Sequence, residues 1–260
     1  VNGSTGEFAS TGAGDCVVKA TVAATDDFES AYDTQTISID PAEPTITFDP
    51  APTATYGSNF TVAAATNSTS DLAYRKISGP CTQTSGGTFT PTGVGDCVIE
   101  AYTNAVTDFT AGTKQITVSI DPLALTITVA PGQSKVYGNA EPALLFTYEP
   151  ALVYGDSFTG SLTRASGEDV GEYAVNQGTL SAGDNYDITF EGANFSITAR
   201  PITVTAVAAS KMFGLADPVF TYNITSGSLV AGDSFTGSLE RDPGEDLGTY
   251  DILQGSLALS

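Results

Sequence analysis

Two internal repeats of different period constrain this chain more than any other feature. Gly14-Asp15-Cys16-Val17 returns as Gly95-Asp96-Cys97-Val98, a shift of 81. Gly155-Asp156-Ser157-Phe158-Thr159-Gly160-Ser161-Leu162 returns letter for letter at 232–239, a shift of 77. Self-similarity at a fixed period means a string of like units rather than one large core. With 260 residues the chain holds a little over three such units, each able to bury only a modest core.

Within the units the pattern has period two. Ile116, Val118 and Ile120 alternate with Thr117 and Ser119, Leu125, Ile127 and Val129 with Thr126 and Thr128, and Ile202 and Val204 with Thr203 and Thr205. Such alternation sets one face against a core and the other in water. Gly, Asn, Asp and Pro punctuate these runs as turns. The stretch from Ala20 to Tyr32 has a loosely helical spacing, yet its counterpart from Ala101 to Thr113 does not, so both read as a strand followed by a loop. The expected class is all-β, with small immunoglobulin-like β-sandwiches in tandem forming an elongated array.

The repeats also set expected boundaries. Thr36-Ile37-Ser38-Ile39-Asp40-Pro41 matches Thr117-Val118-Ser119-Ile120-Asp121-Pro122, so each unit of the first type closes with a strand and an Asp-Pro step. Proline ends the ladder there. Residues 1–41 read as the later part of one unit and 42–122 as a complete unit. The second type occupies 123–200 and begins again at 201–260. Its marker Lys135-Val136-Tyr137-Gly138-Asn139-Ala140-Glu141-Pro142 is echoed by Lys211-Met212-Phe213-Gly214-Leu215-Ala216-Asp217-Pro218. In this register the first unit is expected to lack its front half and the fourth its last two strands.

Asp and Glu total 30 against 9 Lys and Arg, a net charge of -21. Nucleic acid and anionic membranes need a basic patch, so neither is an expected partner. No apolar run approaches the roughly 18 residues of a membrane helix, so no membrane insertion is expected in this segment. The chain has no His, which removes Ser-His and Cys-His nucleophilic machinery. The pairs Glu168-Asp169 and Glu245-Asp246 stand at equivalent positions beside Gly167 and Gly244, which marks turn chemistry rather than an acid/base pair in one cleft. The chain is read as non-enzymatic.

Three cysteines are present: Cys16, Cys81 and Cys97. Cys81 and Cys97 flank a turn-rich segment and are expected to form a disulfide, three free thiols being the alternative. Closing such a loop stabilises by about 3 kcal/mol in the chain-entropy model, and a disulfide implies an oxidising, extracellular compartment. The shift of 81 places the partner of Cys16 one residue before Val1. Calcium is the one cofactor weighed. Asp40 and Asp121 lie at unit junctions, and Asp156, Asp184, Asp187 and Asp233 lie in Gly-rich turns, but no known calcium loop pattern occurs. Lys135 and Lys211, beside Tyr137 and Phe213, read as snorkelling over an aromatic ring, a covalent bond to Asn or Asp being the alternative. The aromatics Phe146, Tyr148, Tyr173, Phe190, Phe220, Tyr222 and Tyr250 follow the alternation and read as core.

Residues 123–260 resemble the bacterial MBG-type repeat. The resemblance rests on Ile202-Thr203-Val204-Thr205, the Lys-x-aromatic-Gly-x-Ala-acidic-Pro marker, Gly-Asp-Ser-Phe-Thr-Gly-Ser-Leu, Gly171-Glu172-Tyr173-Ala174-Val175 and Asn185-Tyr186-Asp187-Ile188-Thr189-Phe190. Residues 1–122 are similar to bacterial immunoglobulin-like repeats through Thr55-Tyr56-Gly57 and the closing strand. Such repeats occur in large secreted or surface adhesins of bacteria. The resemblance implies a non-catalytic stalk at the cell surface, whose partners are neighbouring repeats of the same chain. Two other readings stand beside it: a filament subunit completed by strand exchange with other copies, and a module binding a carbohydrate or protein on a host or environmental surface.

Overall fold

The computed structural model describes residues 6–260. The architecture is all-β, with no helix among the described residues. By its internal contacts the chain forms two compact units. The first gathers 1–126, 149–159 and 181–189, and the second gathers 127–148, 160–180 and 190–260. This grouping does not follow the sequence repeats: three stretches of the repeat 123–200, at 123–126, 149–159 and 181–189, belong with the unit that contains 42–122.

Strands β1 (Gly14–Val22) and β2 (Ala31–Ile39) form an antiparallel hairpin in which Gly14 faces Ile39 and Cys16 faces Ile37. One period later the same register returns in β10 and β11, described below. The hairpin carries much of its apolar surface outward: Val17 is 62 % and Ile37 55 % exposed.

The repeat 42–122 holds a four-stranded, a three-stranded and a two-stranded sheet. Its strands are β3 (Ile46–Phe48), β4 (Ala54–Thr55), β5 (Phe60–Thr61), β6 (Ala64–Thr66), β7 (Ala73–Ser78), β8 (Cys81–Ser85), β9 (Thr88–Pro91), β10 (Gly95–Thr103) and β11 (Gly112–Asp121). One sheet has the order β4-β11-β10-β7 and another β5-β9-β8, while β3 pairs with β6. Gly95 faces Ile120 and Cys97 faces Val118, each 81 residues beyond its counterpart in the first hairpin. The alternating residues of β10 and β11 point inward, and Cys97, Ile99, Val118 and Ile120 meet Phe60, Cys81 and Phe89 of the second sheet in one buried cluster. Burying side chains of this size stabilises by about 1.5–3 kcal/mol each. Cys81 and Cys97 are joined by a disulfide, with Cα atoms 6.0 Å apart. The bond ties the two sheets together through the middle of the core.

The repeat 123–200 contributes β12 (Leu123–Val129), β13 (Ser134–Val136), β14 (Phe146–Glu149), β15 (Thr163–Arg164), β16 (Gly171–Asn176), β17 (Tyr186–Glu191) and β18 (Asn194–Thr198). The strand orders are β14-β12-β17 and β13-β18-β16-β15. Strand β18 runs parallel to β13 and antiparallel to β16, and its Phe195 and Ile197 are almost fully buried. In the last segment, β19 (Thr203–Ala206) pairs with β20 (Tyr222–Ser226). Strands β21 (Phe235–Thr236) and β22 (Glu240–Arg241) pair with β24 (Ala258–Leu259) and β23 (Ile252–Leu253), respectively. The β22–β23 register, Glu240 to Leu253 and Arg241 to Ile252, reproduces the β15–β16 register of Thr163 to Asn176 and Arg164 to Val175 one period on.

Candidate functional site

Two constructions recur in the chain, and both are made by residues at repeated positions. The first is an ion cluster. Lys135 in β13 donates from Nζ to Glu141 at 2.8 Å and to Glu168 at 2.6 Å. Arg164 in β15 donates from Nε and Nη2 to Glu141, and from Nη2 to Glu168 at 2.8 Å. Its remaining Nη1 caps the backbone carbonyls of Ala165 and Gly167. The guanidinium also lies over the rings of Tyr173 and Phe195, at 4.9 and 5.5 Å from their centroids. The Arg164 guanidinium pulls the Glu141 carboxyl down to about 2, and the hydrogen bond from Lys135 lowers that of Glu168.

The same cluster is rebuilt by Lys211, Asp217, Arg241 and Glu245. Arg241 Nε donates to Asp217 at 2.9 Å and Nη2 to Glu245 at 2.7 Å, while Lys211 reaches both carboxylates. Arg241 Nη1 caps Asp242 and Gly244, and its guanidinium lies over Tyr250. Lysine therefore does not lie over Tyr137 or Phe213 as expected. It turns to two carboxylates, and arginine takes the aromatic face, which suits its planar group better. Glu168 and Glu245 are ion-pair partners. In the turns that hold them the neighbouring carbonyls of Asp169 and Asp246 accept the Tyr173 and Tyr250 hydroxyls.

The second construction is a joint between consecutive sequence repeats. Thr55-Tyr56-Gly57-Ser58 and Val136-Tyr137-Gly138-Asn139 are tight turns, closed by hydrogen bonds from Ser58 N to Thr55 O and from Asn139 N to Val136 O. Gly57 and Gly138 sit at φ 92° and 76°, a conformation demanded at the third position of such a turn. The turn thrusts its tyrosine outward, and an aspartate about one hundred residues later receives it. Within the first unit the Tyr56 hydroxyl donates to Asp156 at 3.0 Å. Within the second unit the Tyr137 hydroxyl donates to Asp233 at 3.1 Å. Both acceptors stand in a second repeated turn, Val-x-Gly-Asp, closed from Asp156 N to Val153 O and from Asp233 N to Val230 O. The valine of that turn lies against the glycine of the first: Val153 at Gly57 and Val230 at Gly138. A Cβ on Gly138 would stand 2.3 Å from the Val230 side chain, so this approach requires glycine.

Around Tyr56 the joint is deeply packed. Tyr56 is 3 % exposed and clusters with Leu125, Ala182 and Tyr186, whose hydroxyl also donates to Asp156 at 2.9 Å. Burial first, and then the hydrogen bond to Asp156, push the Tyr56 phenol up to about 12. This cluster draws 149–159 and 181–189 into the first unit. At the second joint Arg200 donates from Nη1 to the Tyr137 carbonyl at 3.0 Å and to Asn139 Oδ1 at 3.2 Å. Hydrogen bonding to Asp233 raises the Tyr137 phenol.

A family model described as MBG domain (YGX type) matches residues 125–196 and 202–260, just over half of the chain. The chain belongs to this family. Within the matched residues Tyr137-Gly138-Asn139 reads Tyr-Gly-x, and Phe213-Gly214-Leu215 stands at the same place in the second MBG repeat. No curated protein matches the chain significantly. Among solved structures, the I-band fragment I67–I69 from titin is similar over 73 % of this chain and 75 % of its own, with 12 % identity and a TM-score of 0.33. So distant a likeness carries no argument.

Of the aspartates weighed as calcium ligands, Asp156 and Asp233 accept tyrosine hydroxyls in the joints. Among the described residues no group of three or more His, Cys, Asp or Glu is placed to hold a metal ion. Cys81 and Cys97 are paired, whereas Cys16 is a free, half-buried thiol. The position expected to hold its partner lies outside the described residues. Sequence reading missed both constructions. A signal existed for the ion cluster: Lys, acid, Arg and Glu recur at matching positions in both MBG repeats. Four of the nine cations in the chain are spent on them. No such signal tied each tyrosine to an aspartate so far along the chain.

Proposed function

We propose that this chain is a spacer segment of a large bacterial cell-surface or secreted adhesin, non-enzymatic and extracellular. The observation that carries this reading is the recurrence of one joint. A Tyr-Gly turn of one repeat receives the Val-x-Gly-Asp turn of the next, once with Tyr56 and Asp156 and once with Tyr137 and Asp233. A unit that carries half of a joint at each of two separate turns is made to be concatenated. A binding module needs one distinctive surface; a spacer needs the same contact again and again. The Cys81–Cys97 disulfide fits an oxidising compartment. The acidic surface, with a net charge of -21, favours solubility and repels like segments. The partners of each repeat are then its neighbours in the chain.

The test is a display experiment. Inserted between a bacterial outer-membrane anchor and a nanobody reporter, the chain is expected to improve capture of a bulky antigen without conferring binding of its own. Specific binding of glycans or matrix proteins by the isolated chain would move the adhesive function into this segment and overturn the spacer reading.

A further inference from the structure

The repeats 42–122 and 123–200 are of different type, yet each joins an early strand to its last strand in parallel. In 42–122, β4 runs beside β11, with Ala54 facing Ile120 and Thr55 facing Asp121. In 123–200, β13 runs beside β18, with Ser134 facing Ser196, Lys135 facing Ile197 and Val136 facing Thr198. Both pairs end in the same way. Tyr56 N donates to Asp121 O and Tyr137 N to Thr198 O, each at 2.9 Å. These are the tyrosines whose hydroxyls reach Asp156 and Asp233. One residue therefore closes the parallel pair with its backbone and holds the receiving turn with its side chain.

Direction decides what such a pair can do. Tension along the chain draws the early strand towards its N-terminal end and the last strand towards its C-terminal end. Parallel strands pulled in this way slide past each other, and the evenly spaced bonds between them take the load together. An antiparallel pair drawn apart from one end loses its bonds one at a time. The early strands are also fastened sideways. Ala54 and Tyr56 are 2 % and 3 % exposed, and Lys135 is tied through Nζ to Glu141 and Glu168. Just beyond β18, Arg200 Nη1 donates to the Tyr137 carbonyl at 3.0 Å, which extends the bonded run by a side chain. The Cys81–Cys97 disulfide joins β8 to β10 and bridges neither β4 nor β11, so the parallel pair carries the load itself.

We infer that β4–β11 and β13–β18 are shear clamps, and that the repeats 42–122 and 123–200 are built to resist tension applied along the chain. In 123–200 the ion cluster then has a mechanical role, since Lys135 anchors the clamp strand to the turn that holds Glu168. The inference deepens the spacer reading, on which its biological sense rests: a spacer between a surface and a bound object carries the pull between them. The disulfide acts after a clamp has failed, by limiting how far the repeat 42–122 extends.

The experiment stretches single molecules of the intact chain at a fixed loading rate. Pulled by the chain ends, the repeat 123–200 is expected to rupture at a force at least about threefold higher than when pulled through handles at Asn176 and Asn194. Those exposed residues lie at neighbouring ends of antiparallel β16 and β18, so that direction unzips the strands. The repeat 42–122 identifies itself in the traces. Its disulfide spans 16 residues, so a reductant should lengthen its step by about 50 Å. Ser196→Pro deletes the donor to Gln133 O and spares the bonds of β18 to β16. It should lower the rupture force of 123–200 and leave the step of 42–122 unchanged. Equal rupture forces in the two directions overturn the proposal. So does a Ser196→Pro chain that keeps the amides of 171–176 protected and still breaks at the original force. If that substitution unfolds the repeat, the directional comparison, made without it, decides. A chain that shows the directional difference but fails the display experiment loses the spacer reading and keeps its clamps.

Discussion

The two MBG repeats carry the same ion cluster with different side-chain burial. In the repeat 123–200, Lys135 and Arg164 have side chains 5 % and 9 % exposed, beside a core closed by Phe195 and Ile197. In 201–260, Lys211 and Arg241 are 20 % and 13 % exposed. Every ion pair of the first cluster nevertheless has its counterpart in the second. The cluster is therefore set by local turns, through the carbonyls that Arg164 and Arg241 cap, and does not wait for the core to close. In 123–200 the apolar core is closed by β18, whose Phe195 and Ile197 are almost fully buried. The cluster is built by short-range chemistry and the core by long-range packing.

The largest expected effect comes from emptying the closing strand of the first MBG repeat. Phe195→Ala removes a fully buried ring from β18 and should cost about 3–5 kcal/mol. Guanidinium unfolding followed by amide exchange is the measurement. Exchange at Gly171–Asn176 should rise, while the segment 201–260 keeps its own rates. If β16 stays protected, the closing strand is not what stabilises this repeat.

The acid limb of stability tests the shared part of the comparison. Glu141 is held near 2 by Arg164, and Glu168, Asp217 and Glu245 are also lowered, each chiefly by a hydrogen bond from its lysine. A carboxyl lowered in the folded state stabilises the fold above its unfolded value, about 4. That contribution is lost as pH falls through the folded value. The melting temperature should therefore decline from about pH 4.5 towards pH 2, and the drop should be smaller in Glu141→Gln. The carboxylates are 39–64 % exposed, so salt should blunt the effect. A melting temperature indifferent to pH across this range would mean that the clusters orient the turns without stabilising them.

Sequence reading caught what is periodic and missed what is paired at a distance. Alternation in β11 and β12 gave the inward residues Val118, Ile120, Ile127 and Val129, because a strand has only two faces. The shift of 81 carries from Cys16 to Cys97 and from Ile37 to Val118, and the strand register follows it. The ion clusters were within reach, since charges are scarce and recur in step. Lysine was instead assigned to the nearest aromatic in sequence, whereas its carboxylates lie 6 and 33 residues on. The joints were out of reach. Asp156 and Asp233 stood out as acidic residues in Gly-rich turns, but their tyrosines lie 100 and 96 residues earlier. Pairing over that range is a property of the folded repeats, and no local pattern encodes it.

The smallest expected effects concern the corner that differs by one atom between the MBG repeats. Residues 123–200 present Tyr137 there, and 201–260 present Phe213, which is 74 % exposed. Tyr137→Phe gives the first corner the chemistry of the second. It removes the hydroxyl from Asp233 but leaves Val230 against Gly138, so the joint should loosen without coming apart. The phenol of Tyr137 is raised in the folded state. Its contribution is therefore present below the ordinary tyrosine value, about 10, and is lost as pH climbs through the raised one. Wild-type protein should lose stability over that alkaline range, and Tyr137→Phe should lose less. The matching change in the other joint, Tyr56→Phe, should cost about 1 kcal/mol, because Tyr186 keeps Asp156 bonded. Ultraviolet titration of the tyrosines reads both phenols directly. If neither variant alters the alkaline limb, valine on glycine holds the joints, and the tyrosine–aspartate bonds only align them.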